Sequence, residues 1–308
     1  MRSAETIQTI GVVGCGLIGV GWIATFLSRD FNVVAFDAAP DVEQKTRDQL
    51  DRIWPDLEQL GLTEGASRER LTFSPSLKAL SKQADFIQEN IPDYLDAKQN
   101  LLQEIDAQTP SDVLISSSTS GFMKAELEQK CQHKDRIIVG HPFFPVHLLP
   151  LVEIVASEEA GQIADALYTR AGKAVIVMNK DVPGFIANRF QETMWREALN
   201  MIAAGQATPE QIDRALMNGP ALRWPFMGPI MSYAMAEGEG GMRKLISLIE
   251  EEGPYGDDWT PLPMQPITPA MKEALISETD TLFEGKSFQE LLKERDRRII
   301  AILKARNA

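Results

Sequence analysis

The feature that most constrains this chain is a short apolar strand pattern, Ile7–Val13, that runs into Gly14-Cys15-Gly16-Leu17-Ile18-Gly19 and then into a helical pattern. The first glycine of such a loop permits a tight turn. The second lets an anion approach the backbone, and the third lets the helix pack against the strand. The free N–H groups and dipole of the helix N-terminus then favour a pyrophosphate. Cys15 reads as a small residue of this loop. A second apolar run, Asn32–Phe36, ends at Asp37, 18 residues beyond Gly19, where an acid is expected to hold the ribose hydroxyls of an adenosine. Asp37 would repel a 2′-phosphate, so the expected cofactor is NAD rather than NADP. No metal is expected.

Strand-like runs continue at Asp85–Gln88, Val113–Ser116, Arg136–Val139, Leu151–Val155 and Ala174–Met178. Helical spacing occupies Pro40–Leu60, Asp93–Asp106 and Glu158–Ala171 between them. This alternation predicts an α/β fold, a Rossmann-type doubly wound parallel sheet over residues 1–182. From Gly184 the β-rich runs stop. Thr208-Pro209-Glu210-Gln211 reads as a capping box opening a helix through Leu216, and Phe288–Leu303 as a long amphipathic helix. Residues 183–308 are therefore expected to form an all-helical C-terminal domain, with Gly253–Pro269 and its five prolines an irregular loop.

The 308 residues carry a net charge of −13, which argues against a nucleic-acid partner. Two cysteines, Cys15 and Cys131, rule out a disulfide framework and point to a reducing cytoplasm. Ile10–Leu27 is an uncharged run of 18 residues, long enough to suggest a membrane span. Its five glycines, and a second strand pattern soon after it, fit a buried strand and helix better. No membrane association is expected.

The three histidines are His133, His141 and His147, so candidates for a neutral-pH base are few. His141 and Ser120 fall just beyond the carboxyl ends of expected strands, where open α/β sheets bind ligands. Glu153 lies within Leu151–Val155, where a buried carboxylate needs a strong partner. A Glu153–His141 hydrogen bond would fix the imidazole tautomer and raise the basicity of its other nitrogen. Spacing alone fits equally well a structural histidine and a strand glutamate facing solvent.

A set of separated motifs, in order along the chain, resembles the L-3-hydroxyacyl-CoA dehydrogenase superfamily. They comprise the glycine loop and Asp85-Phe86-Ile87-Gln88-Glu89 with Asp93 and Lys98 following. Ser117-Ser118-Thr119-Ser120-Gly121, His141-Pro142-Phe143-Phe144-Pro145, Leu151-Val152-Glu153 and Asp181-Val182-Pro183-Gly184-Phe185-Ile186-Ala187-Asn188-Arg189 complete the set. The resemblance implies cofactor contacts at Glu89, Asp93 and Lys98. It makes Ser120 a substrate-hydroxyl contact, His141 and Glu153 the catalytic pair, and Asn188 a further active-site amide. It also implies a homodimer formed through the helical domain. Phe144 is a departure, since the family usually has Asn there. A ring at that position makes the pocket more apolar and offers a face to a cationic substrate.

Within the superfamily, Gly219–Pro229 and Glu237–Arg243 most resemble the L-carnitine dehydrogenase branch, and more distantly the lambda-crystallin/L-gulonate dehydrogenase branch. Carnitine carries a trimethylammonium group, best held by aromatic faces with an acid nearby. Trp224, Phe226, Tyr233, Glu237 and Glu239 supply such groups, and Arg223 could fork onto the carboxylate. Trp224 and Phe226 are also readable as core, and Arg223 as a surface charge. A CoA ester would need basic contacts, yet Asp41–Arg70 holds eight acids against five Lys and Arg. The resulting expectation is NAD-dependent oxidation of a small 3-hydroxy acid, carnitine favoured. Another short L-3-hydroxy acid or a hydroxyacyl-CoA is the alternative, and a non-enzymatic crystallin-like protein a remote one.

Overall fold

Strand β1 (Thr9–Val13) is apolar on both faces and almost wholly buried, as parallel strands covered on both sides are. It pairs in parallel with β2 (Asn32–Phe36) and β4 (Phe86–Glu89), which flank it. The sheet order is β3-β2-β1-β4-β5-β6-β7-β8, adding β3 (Leu71–Phe73), β5 (Leu114–Ser117), β6 (Ile137–Pro142), β7 (Leu151–Val155) and β8 (Ala174–Val177). The chain winds outward from β1 to β3, then restarts at β4 on the other side of β1. That reversal leaves a crevice at the carboxyl ends of β1 and β4. The computed structural model describes residues 1–237, 241–252, 268–269, 273, 285 and 287–306.

Helices cover both faces of the sheet. One apolar cluster joins the sheet to α1 (Leu17–Leu27), α2 (Val42–Leu60) and α6 (Glu158–Arg170). The other joins it to α3 (Leu77–Gln83), α4 (Leu95–Gln108) and α5 (Lys124–Leu127). α1 is apolar all round and buried from Gly19 to Leu27, which explains its membrane-like hydropathy. α2 buries a single stripe, Thr46, Leu50, Trp54 and Leu57, at helical spacing. No helix among the described residues is long and apolar enough to cross a membrane.

Two details go beyond the sequence reading. The three-residue strand β3 is too short to leave a periodic signal. The pairing of β6 with β7 is antiparallel, while β7 pairs with β8 in parallel. Parallel strands need a long crossover, usually a helix. Only the Phe143–Pro150 segment links β6 to β7, so the chain returns directly.

The chain divides into two compact units, Met1–Arg189 and Phe190–Ala308. The second is helical in its described parts, with α7 (Ala187–Ala203) leading into it. It holds α8 (Pro209–Asn218), α9 (Pro229–Ala236), α10 (Gly241–Glu252) and α11 (Phe288–Arg306). The Thr208 capping box is formed in both directions, with Gln211 N donating to Thr208 Oγ1 at 3.3 Å and Thr208 N to Gln211 Oε1 at 2.9 Å. Gly253–Ile267, most of the expected proline-rich loop, lies outside the described residues.

Candidate active site

The glycine loop joins β1 to α1. Gly14 has φ +86°, a conformation that a side chain would strain. A Cβ on Gly19 would lie 1.9 Å from the Gly14 carbonyl oxygen, so only glycine allows this approach of helix to turn. A Cβ on Gly16 would meet nothing within 4 Å, which leaves that face of the loop open. Gly16 is the N-cap of α1. No side chain caps this end, and its first turn holds no acid. Leu17 is exposed and Ile18 half-buried. Asp37, at the end of β2, accepts from Cys15 N at 2.8 Å and from Ala39 N at 2.9 Å, which fixes its carboxylate beside the loop. An open turn, an uncapped helix N-terminus and an oriented acid fit a dinucleotide. Cys15 is chemically quiet, because burial, with Asp37 adding to it, pushes its thiol up to about 12.

A second group of predicted residues converges beyond β4. Lys98 Nζ donates to both oxygens of Glu89, at 2.9 and 3.1 Å, and lies 3.3 Å from Asp93 Oδ1. Glu89 also accepts from Ile91 N at 2.6 Å and from the Ser117 hydroxyl. The side chains of Glu89 and Lys98 are 0% and 1% exposed, so Asp93 is the member of the trio that reaches the surface. Asp93 Oδ2 accepts from both N and Oγ of Ser120 at 3.1 Å. Burial alone would raise the Asp93 pKa, but Lys98, the Ser120 N–H and the Thr119 hydroxyl together lower it. Ser120 is thus held by an ionised carboxylate that is itself anchored to a buried ion pair.

The third group is the β6–β7 pair. The antiparallel register sets His141 directly opposite Glu153, so the spacing of twelve residues becomes a cross-strand contact. His141 Nδ1 lies 3.0 Å from Glu153 Oε2. The other oxygen, Oε1, accepts from Ile186 N at 2.9 Å and from Ala187 N at 3.0 Å, where α7 begins. Burial would raise the Glu153 pKa, but the His141 hydrogen bond and these two N–H groups lower it. An ionised carboxylate only accepts hydrogen bonds, so Nδ1 carries a hydrogen, which in the neutral imidazole leaves the lone pair on Nε2. Asn188, two residues into the helical turn, is half-buried.

Two rings that the sequence reading did not single out flank the imidazole. Phe143 lies with its centroid 4.9 Å away in an edge arrangement, and Phe185 at 4.9 Å in a tilted stack. Lys173 is a further unforeseen residue. It is buried, donates to the carbonyls of Val146 and Leu149 (3.2 Å for the latter), and lies 5.1 Å from the Trp22 ring. It thereby fastens the loop between His141 and Glu153 to α1. Only burial marks it, and burial has no signature in a lone lysine.

Phe144 is 44% exposed. The remaining substrate candidates belong to the second unit. Arg223 is exposed and its carbonyl accepts from Phe226 N and Met227 N, both at 2.9 Å. Trp224 is 38% exposed, Phe226 65% and Tyr233, on α9, 61%, which removes the core reading of Trp224 and Phe226 within this chain. Glu237 pairs with Lys244 at 3.2 Å, so its charge is already matched. Glu239 lies outside the described residues.

A doubly wound sheet with an open glycine loop, an acid at the end of β2 and a buried His–Glu pair at the end of β6 defines an NAD-dependent oxidoreductase. Residues 9–182 match the NAD binding domain of 3-hydroxyacyl-CoA dehydrogenase, and residues 184–264 match that family's C-terminal domain. The chain belongs to the 3-hydroxyacyl-CoA dehydrogenase family. An L-carnitine dehydrogenase of Nocardiopsis dassonvillei is 45% identical over 98% of this chain and 92% of its own. Another, of Streptomyces coelicolor, is 43% identical over 99% of this chain and 96% of its own. Among solved structures, an (S)-3-hydroxybutyryl-CoA dehydrogenase from Ralstonia eutropha aligns with a TM-score of 0.63 at 26% identity, covering 90% of this chain and 94% of that one. An NAD+-dependent 5-formyl-3-hydroxy-2-methylpyridine 4-carboxylic acid 5-dehydrogenase shares the fold, with a TM-score of 0.82 at 23% identity over 98% of this chain and 99% of that one.

Proposed function

We propose that this enzyme oxidises the 3-hydroxyl of L-carnitine to the 3-keto compound, with His141 as general base. The near full-length similarity to L-carnitine dehydrogenases is the observation that carries the substrate. NAD, when bound, supplies the hydride acceptor, and Gly14, Gly16, Gly19 and Asp37 are the residues to hold it. His141 Nε2 takes the hydroxyl proton, and Glu153 stabilises the imidazolium that results. Ser120, locked by Asp93, donates to or accepts from the same hydroxyl and so orients the carbon–hydrogen bond. Asn188 offers an amide at the start of α7. The second unit, taken by itself, exposes rings at Trp224, Phe226 and Tyr233 of the kind that hold a trimethylammonium, and at Arg223 a guanidinium of the kind that forks onto a carboxylate.

A CoA thioester is the less favoured substrate. Of the five basic residues in Asp41–Arg70, Arg47 pairs with Glu43 at 2.9 Å, Arg70 with Asp30 at 2.8 Å, and Arg68 with Asp51. These cations are already matched and offer little to phosphates. The exposed apolar side chains of the second unit, Met217, Phe226, Ile230 and Tyr233 among them, support a homodimer. The free thiols of Cys15 and Cys131 support a cytoplasmic setting.

NADH absorbance tests the reading directly. L-carnitine should give a kcat/KM well above that of L-3-hydroxybutyrate and of L-3-hydroxybutyryl-CoA. Should either rival be the faster substrate, carnitine is the wrong assignment while the dehydrogenase chemistry stands.

A further inference from the structure

Phe185 sits in an unusual backbone state. Its φ is +50°, directly after Gly184 at +73°, so two successive residues are left-handed. A bulky residue in that region is an outlier, kept only where the surroundings fix it. The turn has three consequences at once. The Phe185 side chain is 1% exposed and joins the apolar cluster on one face of the sheet. Its ring lies against that of His141, with centroids 4.9 Å apart and planes tilted by 33°. The next two N–H groups, of Ile186 and Ala187, both point at Glu153 Oε1.

We infer that Phe185 is a positioning residue for the hydride-transfer step, its ring holding the imidazole plane and stabilising the charge that His141 acquires with the substrate proton. This rests on the reading of His141 and Glu153 as the reacting pair. An aromatic face attracts a cation through its quadrupole, and more strongly where water is excluded. His141 is itself only 4% exposed, so the ring acts in a dry setting. The neutral imidazole gains little from the same face. The contact therefore favours the protonated product of base catalysis over its starting state, which is the differential that accelerates a step. Glu153, on β7, is the charged group bonded to the same imidazole, so carboxylate and ring act together on one cation.

Two replacements and one control test this. Phe185→Leu removes the ring, and site-specific incorporation of 3,4,5-trifluorophenylalanine keeps its shape while withdrawing its negative face. A melting curve like that of the native enzyme verifies folding of the fluorinated chain even if the leucine variant unfolds. Both replacements should lower kcat, by about threefold to thirtyfold for leucine and less for the fluorinated ring, with KM for NAD unchanged. The acidic limb of kcat/KM for oxidation should move to lower pH by about half a unit to one and a half units. A fluorinated enzyme with native kcat and a native pH profile would overturn the inference, since packing alone is then sufficient. His141→Gln, measured in parallel, separates the two layers. If it keeps turnover, the reacting pair is wrong and the role of Phe185 falls with it. If it is inactive while the fluorinated enzyme is unchanged, the role of Phe185 alone falls.

Discussion

The β6–β7 pair of the first unit and the segment 219–237 of the second hold the residues to which the proposal gives different tasks, and each is built differently. Around His141 the polar groups are buried, and their partners come from strand register and from the start of α7. Between Arg223 and Glu237 the candidate contacts stand largely in the open, with Phe226 and Tyr233 more than 60% exposed. Chemistry that moves a proton needs groups held before the substrate arrives, and buried hydrogen bonds provide that. Selection among substrates needs only a surface of suitable shape and charge, which can be rebuilt without disturbing the sheet. The two regions should therefore respond to substitution in opposite ways.

The largest contrast is expected at His141. Replacement by alanine should lower kcat by about 10²- to 10⁴-fold on every hydroxy acid, with NAD affinity by fluorescence titration unchanged. Substrate-dependent losses would mean that His141 binds rather than reacts. Next comes Lys98→Met, which strands the buried Glu89 carboxylate. Unfolding in urea should show a loss of about 3–5 kcal/mol, because an unpaired buried charge is left behind. Pairing it with Glu89→Leu should recover much of that loss, and a double variant no better than the single would refute a buried pair.

Trp224→Ala should act on one substrate alone. An exposed cation–π contact is worth about 0.5–1 kcal/mol, so KM for L-carnitine should rise by roughly twofold to fivefold while that for L-3-hydroxybutyrate barely changes. An equal loss on both would make Trp224 a packing residue and blur the contrast between the regions. A further effect is on stability with pH. Burial, aided by Arg29, lowers the pKa of Lys173 from 10.5 to about 7. Between those values the unfolded chain binds a proton that the folded chain does not, so stability should rise with pH across that window. The slope is up to about 1.4 kcal/mol per pH unit, and it should flatten in Lys173→Met. An unchanged slope in that variant would show that Lys173 is not its source.

Some of this was legible in the residues themselves. Strand hydropathy, the glycine spacing and the position of Asp37 are local properties, since φ at Gly14 and the contact of Gly19 with Gly14 depend on a few adjacent residues. The Thr208 capping box is equally local. Ser120, His141 and Glu153 could be suspected from strand ends and from the family likeness. That Glu153 faces His141 was a matter of register, because a parallel β7 would have set different residues opposite the histidine. Antiparallel pairing follows from a linker too short for a crossover, and only the assembled sheet establishes which strand it joins. Phe185 and Lys173 were invisible in sequence for the same kind of reason. Their roles come from groups brought in by distant segments, a ring against an imidazole 44 residues earlier and a lysine nitrogen among carbonyls 24 and 27 residues away. Sequence alone determined the longer strands and helices and the place of the glycine loop, because their signals are local; the short β3 left none. Tertiary structure decided which buried charges and rings meet, because burial and partnership are properties of the packed chain.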